Sequence, residues 1–144
     1  MKNSFLCALV LGAASLIVPR LAWAHHGDAG RYNEEVITIS GTVVQLVMVN
    51  PHAQIIFDVT DGGKTTRWTA ELGGPQQLQK QFGWTPATAK PGSKITLTGR
   101  QVKSGAPYIN LTERANIVLT DTGKEIFRTA NYGQPPPAAT GQVN

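Results

Sequence analysis

Residues 52–72 read HAQIIFDVTDGGKTTRWTAEL, and this stretch decides the fold. From His52 to Thr60, Ala53, Ile55, Phe57 and Val59 fall on one face, with His52, Gln54, Ile56 and Asp58 on the other. Strict alternation of this kind is the period of a β-strand with one buried face. Asp61-Gly62-Gly63 supplies the positive backbone angles of a tight hairpin turn. From Lys64 to Leu72 the alternation resumes, placing Trp68, Ala70 and Leu72 together opposite Arg67, Thr69 and Glu71.

Upstream, Val36–Val49 has the same β character, but its apolar phase slips near Gly41–Val43: Ile37 and Ile39 precede the slip, and Val44, Leu46 and Met48 follow it. A slip suits a long strand bent by a glycine or a β-bulge. Asn50-Pro51 marks a turn before His52. Downstream, Gly73-Gly74-Pro75 ends the third strand, and proline is accepted in the first turn of a helix. Gln76–Phe82 is a short helix with Leu78 and Phe82 on one side. Ser93–Val102 is a fourth strand, with Ile95 and Leu97 inward. Tyr108–Leu119 is a fifth, with an interruption expected around Glu113-Arg114, and Glu125–Arg128 adds a short edge strand. Three strands, a helix, then two more strands is the order of an OB-like five-stranded β-barrel, in which closure hides the strand edges. An open antiparallel sheet capped by the helix is the alternative.

The ends of the chain read differently. Residues 1–24 carry Lys2, an apolar run from Phe5 to Val18 and the small-x-small ending Ala22-Trp23-Ala24, the pattern of a secretory signal peptide cut after Ala24. The apolar run is too short for a membrane span, and no stable membrane insertion is expected of the remainder. The only cysteine, Cys7, lies in this leader, too early to be a lipoprotein's acylated residue. The exported chain is therefore expected to contain no thiol, which removes disulfides, cysteine zinc sites and thiol catalysis. Residues 25–35 form a polar arm, 36–132 the barrel domain, and 133–144 a tail rich in Pro, Ala and Gly that has too little to bury and is expected to be disordered. Of 13 lysines and arginines against 9 acidic residues, Lys2 and Arg20 leave with the leader. The rest are scattered, which argues against a nucleic-acid partner. Nothing in the chain specifies an oligomeric state.

The chain also carries Ala24-His25-His26, Gly41-Thr42-Val43, Asn50-Pro51-His52-Ala53, Trp68, Gly74-Pro75, Gly83-Trp84 and Pro91-Gly92 in order. In these motifs it resembles an uncharacterised family of short exported bacterial proteins, a domain of unknown function. The resemblance implies a periplasmic location and no established activity. The family pattern continues His-His-Ser-Phe, whereas this arm has His26-Gly27-Asp28.

Two of the three histidines, His25 and His26, directly follow the expected cleavage site. An N-terminal histidine chelates a metal through its α-amine and Nδ1, and His52 at the Asn-Pro-His corner is a candidate third nitrogen, with His26 an auxiliary ligand. Amine and imidazole donors suit Cu(II), and Zn(II) or Ni(II) less strongly. Glu71 is a candidate carboxylate ligand or an acceptor that orients a ligating imidazole, and Asp58 has the same standing. The bland alternative makes these histidines a flexible terminus and a turn residue, and Glu71 a solvated strand residue. Trp68 and Trp84 read as core and as a plug at the barrel end, and Tyr108 is the other large aromatic of the folded part. No Ser–His pairing, nucleophile elbow or phosphate loop is present, so a non-enzymatic periplasmic protein binding copper is expected. A metal-independent module for an envelope protein or ligand is the alternative, and a copper-dependent oxidase ranks last.

Overall fold

One long strand, β1 (Ile37–Val47), serves two neighbours. Its first half pairs with β4 (Lys94–Gln101), from Ile37↔Gly99 to Thr42↔Lys94. Its second half pairs with β2 (Gln54–Asp61), from Thr42↔Asp58 to Val47↔Gln54. The strand can do this because it bends. A Cβ at Gly41 would lie 2.6 Å from the Asp58 carbonyl oxygen and 2.7 Å from the Phe57 ring, so only glycine permits the approach. The register then shifts between Val43 and Gln45, leaving Val44 as the extra residue of a bulge. Val43 is buried, while Leu46 and Met48 resume packing on the core beyond the bulge. The expected phase slip is thus a bend and a bulge together.

This computed structural model describes residues 30–137. The expected signal peptide, His25, His26 and the end of the expected disordered tail lie outside the described residues. The order within them is β1, β2, β3 (Lys64–Glu71), α1 (Pro75–Phe82), β4, β5 (Tyr108–Asn110), β6 (Asn116–Leu119) and β7 (Lys124–Arg128). β2 and β3 form the expected antiparallel hairpin across Gly62 and Gly63, both at positive φ. β3 then pairs parallel with β5, β5 antiparallel with β4, and β4 with β1. The circuit β1-β2-β3-β5-β4-β1 is a closed five-stranded barrel, mainly β, with its one helix between the third and fourth strands: the OB-like arrangement. The β1–β4 pairing excludes the open sheet.

The fifth strand breaks where an interruption was expected. Leu111–Ala115 leaves the ladder, Arg114 takes φ 50°, and the chain returns as β6 on β4. The break matches a crowded point on β4: a Cβ at Gly99 would lie 2.5 Å from Leu111 Cδ2 and 2.6 Å from the Asn110 carbonyl. β7 pairs with β6 as the added edge strand.

Ile55, Phe57, Leu72, Ile95, Leu97 and Ile109 fill the interior without measurable exposure. Trp68 packs against this core with its ring 6.4 Å from that of Phe57. Pro75 opens α1, and Gly83 ends it in the left-handed region (φ 67°) with its N–H bonded to the Gln79 carbonyl. Leu78 turns inward, and the buried Trp84 donates from Nε1 to the Ile126 carbonyl at 2.8 Å while its ring meets Phe127 edge-on. The helix and Trp84 plug one barrel end.

Gly99→Ala should destabilise the protein by roughly 1–3 kcal/mol, since the methyl group meets the Asn110 backbone carbonyl as well as the buried Leu111 side chain. Gly30→Ala, with open space around it, should change little. Urea midpoints of the two variants check this, and equal midpoints would contradict it.

Candidate ligand site at the His52 corner

The Asn50–Pro51 peptide is cis, and His52 follows it just before β2 begins. The corner is fastened by its neighbour: Ala53 N–H donates to the Gly73 carbonyl, and Leu72 N–H donates to the Ala53 carbonyl. These bonds hold His52 beside the end of β3, where Glu71 sits. The His52 Nδ1 lies 3.3 Å from Glu71 Oε1, with the imidazole side chain 48% exposed and the carboxylate 15%. Glu71 is therefore not a freely solvated strand residue.

Its other neighbours come from β5. The parallel register sets Thr69 beside Tyr108 and Glu71 beside Asn110. The Tyr108 hydroxyl donates to Glu71 Oε2, and Asn110 Nδ2 donates to Oε1 at 3.4 Å. Asn110 Oδ1 accepts from Thr112 N–H at 3.0 Å and faces the Thr112 hydroxyl at 2.6 Å. The backbone donor fixes which end of the amide is oxygen and leaves Nδ2 for Glu71. Burial, then the hydrogen bond and charge of Glu71, push the Tyr108 phenol well above its ordinary 10.0, with Arg31 acting in the opposite sense.

The C-terminal end of the N-terminal arm docks on this side of the barrel. Tyr32 is 1% exposed and bridges to Val102. The Arg31 guanidinium lies 5.6 Å from the Tyr108 ring centre, and the buried Arg100 lies 5.6 Å from that of Tyr32. Further bonds run from Asn33 N–H to the Gln101 carbonyl and from Lys103 N–H to the Arg31 carbonyl. The buried Arg114 donates to the Glu34 carbonyl. The boundary expected at residue 35 is thus crossed by packing.

Of the sequence-derived candidates, the structure brings His52 and Glu71 together, while His25 and His26 lie outside the described residues. Asp58 stands apart: Arg67 on the neighbouring strand binds both its oxygens, at 2.9 and 3.0 Å, and holds its carboxyl below the usual range. Trp68 and Trp84 serve the core and the barrel end. Asn110 was missed, and Tyr108 was noted only as a large aromatic. The signal for both is the parallel β3–β5 neighbourhood that an OB-like order implies. Among the described residues, no group of three or more His, Cys, Asp or Glu side chains is placed to hold a metal. The site as described offers one half-exposed imidazole oriented by a fixed carboxylate.

The Tyr108 shift has a measurable consequence. The folded state keeps a proton that the unfolded state loses near pH ~10, so this contribution to stability is full below that pH and falls as pH rises above it. Denaturation across the alkaline range should show this slope, and Tyr108→Phe should remove it. An unchanged slope in the variant would refute the assignment.

Comparison with solved structures finds the S. cerevisiae mitochondrial single-stranded DNA binding protein Rim1, at 8% identity and a TM-score of 0.42, covering 67% of this chain and 100% of that one. It also finds yeast Stn1 and Ten1, at 16% identity and a TM-score of 0.37, covering 60% of this chain and 44% of that one. No curated protein matches. Residues 14–109 match the profile of a family of unknown function, DUF6152, and the chain belongs to that family.

Proposed function

We propose that this chain is an exported, non-enzymatic periplasmic binding protein that takes Cu(II) through the α-amine and imidazole of His25 and through His52, with His26 auxiliary. The observation that carries the reading is the 3.3 Å approach of His52 Nδ1 to Glu71. A metal-binding imidazole characteristically turns one ring nitrogen to a carboxylate, which fixes the tautomer and raises the basicity of the other. With Nδ1 turned to Glu71, Nε2 is the nitrogen left for a ligand.

The docked end of the arm supports the same reading. Arg31 sits over Tyr108, the residue bonded to Glu71. His25 precedes Arg31 by six positions, and an extended chain of that length spans up to about 20 Å. Delivery of the new terminus to His52 is therefore within reach. Two imidazoles and an amine favour Cu(II), the divalent ion at the top of the affinity order for such donors. The α-amine must lose its proton to bind, so affinity should fall as pH drops below ~8.

Cu(II) titration of protein beginning at His25 tests the proposal, with intact mass confirming the first residue. One equivalent should bind more tightly than micromolar. His52→Ala should weaken binding, and Glu71→Gln should weaken it by about 10–100-fold. Micromolar or weaker binding that is indifferent to His52→Ala would overturn the copper reading and favour a metal-independent interaction module.

A further inference from the structure

β1 and β2 separate beyond the pair Thr42↔Asp58: β1 keeps to β4 while β2 runs out into its hairpin with β3. A cleft of about 580 Å³ opens between them, walled by Thr38-Ile39-Ser40 on one side and Val59-Thr60-Asp61 on the other. It lies by the β2–β3 turn, at the opposite end of β3 from Glu71. Two bonds show which backbone groups face it. Val43 N–H donates to the Ser93 carbonyl, and the Val43 carbonyl accepts from Gly92 N–H, so both groups of Val43 turn to the β4 side. Successive residues of a strand alternate in this respect. Ile39 and Gly41 therefore turn to β4, and Thr38 and Ser40 turn to the side that β2 has left. By the same count Asp58, paired with Thr42, faces β1, and so does Thr60.

Among the described residues, no strand pairs with Thr38, Ser40 or Thr60 on that side. Their hydroxyls are bonded to neighbouring hydroxyls: Thr38 to Thr98 and Ser40 to Thr96, each at 2.8 Å, and Thr60 to Thr65 at 2.9 Å. What the walls leave without a protein partner is main chain, with donors and acceptors at the repeat of an open strand edge. The floor is apolar. Ile39, Val59 and Trp68 line the cleft and pack only partly into the core. The Trp68 indole N–H has no acceptor among the described residues and is not sealed from solvent, whereas that of Trp84 is bonded. Charge at the mouth is balanced by Asp61 and Lys64, neither in an ion pair among the described residues. A polyanion gains nothing from such a rim, and a sugar would be read by side-chain groups rather than by a strand edge.

We propose that this cleft takes an extended peptide segment of a partner protein, without net charge, which adds as a strand along residues 38–40 and sets one apolar side chain over Ile39, Val59 and Trp68. The proposal is independent of the copper reading, and its test is run without metal. Random twelve-residue peptides displayed on phage are panned against the protein beginning at His25, and the strongest binder is made as a free peptide. Hydrogen exchange followed by NMR should show the Ile39 and Gly41 amides protected in the free protein, and those of Thr38, Ser40 and Thr60 exchanging. Added peptide should protect Thr38 and Ser40 and shift the Trp68 indole N–H signal, and methylating the peptide's backbone nitrogens should abolish both effects. Ser40→Pro removes a donor that no ladder uses, and should weaken binding by about fivefold or more, as for one lost hydrogen bond. If Ser40→Pro fails to fold, Trp68→Phe removes the indole donor and should weaken binding to a similar degree. Thr38 and Ser40 amides already protected in the free protein would overturn the proposal. So would panning that enriches no peptide, or a bound peptide that leaves these amides exchanging. A disaccharide of N-acetylglucosamine that shifts the indole signal where no peptide does would reassign the cleft to sugars.

Discussion

Closing five short strands into a barrel requires that one strand turn from one neighbour to another without breaking, and β1 carries that turn. It leaves β4 and joins β2 within a few residues around Gly41, where any side chain would strike the Asp58 carbonyl. The bulge at Val44 absorbs the change in phase, so that Ile37 and Ile39 before it and Leu46 after it all pack on the same interior. A one-residue slip elsewhere would have turned the apolar set out to solvent.

Closure in turn makes the His52 corner. Only because the barrel closes does β3 lie beside β5, and only that parallel contact brings Tyr108 and Asn110 to Glu71. The carboxylate is then held from one side by β5 and faces the imidazole on the other. The arm adds a second layer: two buried arginines, Arg100 and Arg114, fix Tyr32 and Glu34 against the barrel, and Arg31 lies on the ring of Tyr108. Buried guanidinium groups are retained where stacking and hydrogen bonds replace lost water.

The hairpin, the helix and the bent first strand were legible because each is written in local signals: alternation, Gly-Gly, Gly-Pro, and a phase slip of one. The interruption at Glu113-Arg114 was legible too, although the close approach of Asn110 and Leu111 to Gly99 just before it was not. His52 stood out as an imidazole at a loop–strand corner, and Glu71 entered as a candidate ligand or orienting acceptor beside the alternative of a solvated strand residue. Their partners did not emerge. Tyr108 and Asn110 lie 37 and 39 positions from Glu71, and nothing local announces a contact made only by a parallel pairing of three residues. The burial of Tyr32 was equally hidden, because it sits among polar neighbours in sequence and meets Arg100 and Val102 only through the fold.

The sheet order ends on β7, whose far side would otherwise offer a template for another molecule. Trp84 occupies it in part: its indole N–H takes the Ile126 carbonyl, one of the groups an incoming strand would need. Lys124, Glu125 and Arg128 add charge along the same five residues. A residue that plugs the barrel thus also engages the outermost strand of the sheet, where an open edge is a template for strand addition.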